Sequence, residues 1–244
     1  MSLKNIRTES KLKSPRFIVY GPAGIGKTTF AASLPEPIFV PCEDGLGKIN
    51  VAHFPIAKSY DELIENLQSL LDEDHEYKSV CLDSLDWAET LWQAKMCEDF
   101  GFKSVEQAGY GRGYKECLAY VNKIIALLDK LRDEKSMVVC LIGHAEIKRF
   151  EAVQVDPYDR YQIKLNKGAA HRFMEAVDAI FFVNYSLGTV KTQGAKGQQI
   201  TKTIQGQRKL FTEERPEFIA KNRYGMIPEI EDFTWDAVRS EIVK

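Results

Sequence analysis

The clearest chemistry in the chain lies in Gly21, Pro22, Ala23, Gly24, Ile25, Gly26, Lys27 and Thr28, followed by Thr29. These residues fit the spacing G-x-x-x-x-G-K-[ST]. Each type has a task. The glycines reach backbone angles closed to other residues, so successive N–H groups can converge on phosphate oxygens. A helix beginning at Lys27 adds the partial positive charge of its N-terminus. Lys27 reaches the β- and γ-phosphates as a point charge. The Thr28 hydroxyl is a hard oxygen ligand for Mg²⁺, and Thr29 is placed for the α-phosphate. The expected ligand is ATP with magnesium.

A phosphate loop of this kind needs a carboxylate across the sheet to hold the metal. Asp83 ends the apolar run Val80-Cys81-Leu82 and is the expected partner; Asp86, three residues on, competes for the role. Hydrolysis also needs a base to activate water. Glu43, with Asp44 beside it, follows the run Ile38-Phe39-Val40. That puts it at the carboxyl edge of a sheet, where α/β proteins bind their ligands.

The pattern predicts the elements that must position these groups. Residues 16–20 read as a buried strand, and 27–34 as a helix stopped by Pro35 and Pro37. Strands follow at 38–40, 79–82, 137–142 and 179–183. A capping-box spacing from Ser59 to Glu62 opens a helix with Leu63, Leu67 and Leu70 on one face. Further helices carry Trp87, Leu91 and Trp92, then residues 114–132, then a short one at 171–176. Four glycines between 100 and 113 predict a mobile loop. Residues 146–167 read as an excursion or hairpin, and 186–244 as strand-rich with a last helix near Trp235. Strands alternating with helices predict an α/β fold with a mostly parallel sheet flanked by helices. The expected organisation is a flexible arm at 1–14, a core at 15–228 and a helical extension at 229–244.

Composition excludes several classes. A net charge of −2 does not advertise nucleic-acid binding across the whole surface, although a local basic path remains compatible with it. The five cysteines are odd in number and lack the CxxC spacing of a thiolate zinc site, which predicts free thiols and a reducing cytosol. No apolar run approaches the roughly 20 residues that span a bilayer.

With these residues in place, the chain resembles phage-encoded NTP-binding proteins with a RecA-like core, including the short phage single-strand annealing proteins. It is more distantly similar to RecA and to the DnaB and KaiC ATPases. The likeness covers roughly residues 15–228 and adds three readings. In Pro41-Cys42-Glu43-Asp44-Gly45, Glu43 falls where the family carries its catalytic glutamate. In Leu141-Ile142-Gly143-His144, His144 stands where the family places a γ-phosphate sensor, commonly glutamine in RecA. In Ala220-Lys221-Asn222-Arg223-Tyr224-Gly225, Lys221 and Arg223 look like the cations that reach phosphate on a neighbouring subunit; an inserted guanidinium stabilises charge on the transferring phosphoryl group. The resemblance therefore implies a homo-oligomer, a single-stranded DNA ligand, and a single-strand-binding protein as a further partner, in the host cytoplasm for a phage protein.

Two segments mix basic and aromatic residues as strand-binding surfaces do. One is Tyr110, Arg112 and Tyr114. The other contains Lys148, Arg149, Arg160, Tyr161 and Lys164, diluted by Glu151, Asp156 and Asp159. Two other functions remain open. A small-molecule kinase would need an arginine-bearing lid, for which residues 146–172 are the candidate. A nucleotide-gated binding module would use ATP with incidental turnover.

Overall fold

The computed structural model describes residues 13–151, 156–193 and 199–243. The expected flexible arm thus lies largely outside the described residues. Lys13 pairs with Asp133 at 2.8 Å, and Ser14 Oγ donates to the Ser136 carbonyl at 2.7 Å.

The sheet is built around β1 (Arg16–Gly21). Parallel neighbours run outward on one side as β5 (Val138–Phe150), β4 (Ser79–Asp83), β2 (Pro37–Pro41) and the short β3 (Ala52–His53). On the other side comes parallel β7 (Ala179–Gln193), then β8 (Gln199–Phe211), antiparallel to β7, and β10 (Glu229–Ile230), antiparallel to β8. The two-residue β9 (Lys221–Asn222) pairs antiparallel with the start of β7. β6 (Tyr158–Ile163) folds back antiparallel on the far half of β5. The expected excursion at 146–167 is therefore a hairpin, and β5 runs eight residues past the predicted end at 142 to carry it. β5 lies between β1 and β4, so the phosphate loop and the acid-bearing strand meet across one intervening strand.

Strand alternation sorts the side chains into two cores. Ile18 and Tyr20 of β1, Val80 and Leu82 of β4, and Val139 and Leu141 of β5 face one side. There they meet α2 (Tyr60–Asp72), α3 (Leu85–Phe100), α4 (Arg112–Glu134) and α5 (Lys167–Ala176). Phe17, Val19, Cys81, Cys140 and Ile142 face the other side, against α1 (Lys27–Ala32) and α6 (Trp235–Ile242). Parity then does functional work: continuing 81 to 83 and 142 to 144 turns Asp83 and His144 toward the α1 face.

α2 starts as its sequence predicts, with Ser59 Oγ accepting the Glu62 N–H at 3.2 Å. α4 begins at Arg112, two residues before the expected start, after a 3₁₀ turn at Val105–Ala108 inside the predicted loop. Residues 229–243, read from sequence as an extension, pack into the second core. Trp235 stacks on Phe17 with ring centroids 5.8 Å apart, and Phe233 on Phe30 at 4.8 Å. Such ring pairs contribute about 0.5–1.5 kcal/mol beyond their buried area.

Candidate active site

The phosphate loop leaves β1 at Gly21 and enters α1 at Lys27. Close packing sets its start: a Cβ on Gly21 would lie 2.2 Å from the Val183 carbonyl oxygen of β7. Gly24 and Gly26 have φ of 73° and 100°, the left-handed region open mainly to glycine. A Cβ on Gly24 would meet nothing within 4 Å, whereas one on Gly26 would sit 2.6 Å from Arg208 Nη1. Arg208 of β8 leans on the loop and donates to the Ile25 carbonyl at 3.2 Å.

A cleft of 320 Å³ opens at the carboxyl edge, lined among others by Gly24, Lys27, Thr28, Glu43, Asp83 and His144. Five side chains chosen by sequence, from four separate segments of the chain, thus share one space. Lys27 is buried, with Nζ donating to the Gly21 and Pro22 carbonyls at 3.1 and 2.9 Å. Burial lowers its pKa, against the opposing fields of Asp83, Asp86 and Glu43. Thr28 Oγ1 donates to Asp83 Oδ2 at 2.9 Å. That pairing separates the two competing acids. Asp83 faces Thr28, and Asp86 faces His144.

Asp83 is 4% exposed. Burial pushes its carboxyl up to about 6, with the Glu43 charge adding to the rise; the Thr28 hydrogen bond and the Lys27 and His144 charges work the other way. Asp86 also feels burial as an upward push. The hydrogen bond and charge of His144, with a bond from Ser84, outweigh it and leave its carboxyl below the usual range. His144 Nδ1 lies 3.0 and 3.1 Å from the two Asp86 oxygens, and its backbone N–H donates to Oδ1 at 3.3 Å. Lys164 Nζ approaches Asp86 Oδ2 at 3.6 Å, which ties the β6 end of the hairpin to the same carboxylate. Glu43 Oε1 accepts the Ser84 hydroxyl at 2.5 Å. Ser84, Asp86 and Arg208 were not given these roles from sequence. The Arg208 contact joins residues 183 positions apart, and no local pattern announces it.

The site fits a nucleotide with a divalent cation on its donor chemistry. Left-handed glycines shape the loop, one buried ammonium closes it, and a hydroxyl and a carboxylate present paired hard oxygens. A family model described as an AAA domain matches residues 13–224. The chain belongs to that AAA domain family. No curated protein matches it. AAA domains are nucleotide-binding and generally ATPases, in keeping with the P-loop cleft.

The remaining predicted site residues of this AAA domain lie elsewhere. Lys221 and Arg223 are at the amino-terminal end of β7, on the opposite edge of the sheet from the phosphate loop. Lys221 Nζ donates to the Met174 and Val177 carbonyls at 2.7 and 2.6 Å, closing the end of α5. Burial lowers its pKa, helped by the Arg223 charge. Arg223 is 57% exposed on its side chain and approaches Asp178 at 3.6 Å. Neither reaches the phosphate loop of its own chain.

Tyr110 is fully exposed, and Arg112 pairs with Glu116 on its own helix at 3.4 Å. The Tyr114 hydroxyl donates to Glu106 at 2.5 Å. On the hairpin, Lys148 pairs with Glu146 and Arg149 with Asp159. The expectation that Arg160 offers a surface cation to a strand is corrected. It is 5% exposed, bonded to Glu214 at 2.7 Å and set over the Phe150 ring. Tyr161 packs on Phe182 with centroids 5.2 Å apart, so its ring faces the core. Among the described residues, no helix is long and apolar enough to cross a membrane.

Proposed function

We propose that this AAA domain hydrolyses ATP with magnesium and acts on single-stranded DNA in recombination or replication, in the manner of the phage annealing proteins it resembles. The observation that carries the catalytic half is the convergence of Lys27, Thr28, Asp83, Glu43 and His144 on one cleft. Lys27 and the loop amides hold the phosphates. Thr28 and Asp83 would hold magnesium, which supplies charge neutralisation on the phosphate oxygens when bound. Glu43 takes a proton from the attacking water, whose oxygen bonds the γ-phosphorus as the bond to the β–γ bridging oxygen breaks. Ser84 keeps the carboxylate aimed. His144, oriented by Asp86, faces the γ-phosphate end, and the Asp86–Lys164 contact supports a route from that end to the β5–β6 hairpin.

The DNA half rests on the resemblance and on the exposed Tyr110, Arg112, Lys148, Arg149 and Lys164. A contribution between subunits is retained for Arg223 alone, because the Lys221 ammonium is engaged by two carbonyls. Phosphate release with and without oligothymidylate tests the whole reading. Turnover should rise with the strand, and Glu43→Gln should keep ATP affinity while losing about 10²–10⁴ of the rate. A Glu43→Gln protein with unchanged turnover removes Glu43 as the base. Equal turnover with and without the strand removes the DNA half.

A further inference from the structure

Between the β5–β6 hairpin and α5 lies a second cleft, of 650 Å³, outside the nucleotide site. That volume is in the range of small-ligand sites, roughly 300–1,000 Å³. Its lining carries four cations, Lys148, Arg149, Arg160 and Lys167, and the carboxylate of Glu151; Lys148, Arg149 and Arg160 are paired with Glu146, Asp159 and Glu214.

Two of these cations stand out for what they do not touch. Arg160 is buried, with one nitrogen on Glu214 and its plane against Phe150, yet its Nε has no hydrogen-bond partner. A buried charged donor left unpaired is costly, and such groups in native proteins call for an explanation. Lys167 opens α5, and its ammonium has no hydrogen bond or ion pair among the described residues. It stands at the amino end of a ten-residue helix, where anions are favoured. A buried planar guanidinium and an exposed ammonium at a helix terminus form a set of donors for a tetrahedral oxyanion.

We propose that this cleft binds a phosphate monoester. A monoester carries more charge than the diester of a continuous strand, which suits the unpaired Lys167 ammonium beside the buried Arg160 guanidinium. Arg160 lines the cleft and is 5% exposed, which suits a terminal phosphate better than one in the middle of a strand. The monoester can come from a free mononucleotide or from the 5′ end of a DNA strand. The site is separate from the P-loop and stands whether or not ATP is hydrolysed.

The test uses full-length Lys27→Ala protein, in which the first site is disabled, titrated calorimetrically. The probes are thymidine monophosphate and short oligothymidylates with and without a 5′-phosphate. A phosphorylated probe should bind, and the unphosphorylated strand should bind at least tenfold more weakly. Adding Lys167→Glu, an exposed position that leaves the fold intact, should weaken the phosphorylated probe at least tenfold. Tighter binding of the phosphorylated strand than of the mononucleotide assigns the site to strand ends; comparable binding assigns it to free nucleotide. The proposal is overturned by silence from both phosphorylated probes, by equal binding of the unphosphorylated strand, or by indifference to Lys167→Glu. Repeating the titrations in wild-type protein saturated with a non-hydrolysable ATP analogue guards against a folding defect in Lys27→Ala. ATP titrated into wild-type protein reads the first site on its own, so failure there is told apart from failure here.

Discussion

Asp83→Asn should make the metal-free protein more stable at neutral pH. The Asp83 carboxyl is buried beside Thr28 and its pKa is raised from 3.8 to about 6. Because the folded value lies above the unfolded one, the folded state binds more protons between them. The ionised carboxylate therefore costs stability as pH rises from about 4 to about 6, and the full cost persists above that window. A shift of about two units corresponds to about 3 kcal/mol at pH 7, falling to about 1 kcal/mol at pH 4.5. Asparagine keeps an oxygen for the Thr28 hydroxyl and carries no charge. For a chain of this size, about 3 kcal/mol raises the melting temperature by roughly 6–12 °C. The assay is thermal or urea unfolding of both proteins in chelator at pH 7 and pH 4.5. The reasoning is refuted if Asp83→Asn is the less stable protein at pH 7, or if the difference does not shrink on acidification. The same variant should bind magnesium–ATP worse, since stability and metal binding draw on the same oxygen.

Gly26→Ala places a side chain at φ 100° and 2.6 Å from the Arg208 guanidinium. It should cost about 1–2 kcal/mol in unfolding experiments and weaken ATP binding at least tenfold. Arg208→Ala in the same chain should recover only part of either loss, because the backbone strain remains. Arg223→Ala should leave ATP affinity within twofold and lower turnover at least tenfold; mixed with Lys27→Ala protein, it should regain activity. An Arg223→Ala protein that hydrolyses normally by itself would remove the trans-acting role.

Much of the fold was readable because its signals are local. The glycine spacing at 21–26, the Pro35 and Pro37 stop, and the apolar runs ending at Asp83 and Gly143 each announce an element within a few residues. The carboxyl end of its strand marked Asp83, the family likeness marked His144, and the structure shows that strand alternation turns both to one face. What sequence could not resolve was contact over long separations. Asp83 and Asp86 both end or follow a strand; only the fold pairs one with Thr28 and the other with His144. The Arg208 brace depends on β8 returning beside β7, after the whole core has been traversed. Arg160 looked like a surface cation because it stands in a segment that mixes basic and aromatic residues, yet its side chain packs on Phe150 and Glu214. The two-residue strand β3 is too short to carry a periodicity. Lys221 illustrates the same limit: a basic tripeptide resembles a phosphate-seeking pair, and only the position of α5 reveals two carbonyls waiting for its ammonium.

The most direct measurement is calorimetric titration of ATP with magnesium into purified wild-type and Lys27→Ala proteins. Saturable heat from the wild type, lost or weakened at least a hundredfold in Lys27→Ala, is the result expected of a loop that cages phosphates and closes on them with one buried ammonium. No heat from the wild type, or equal affinity in the two proteins, would contradict it.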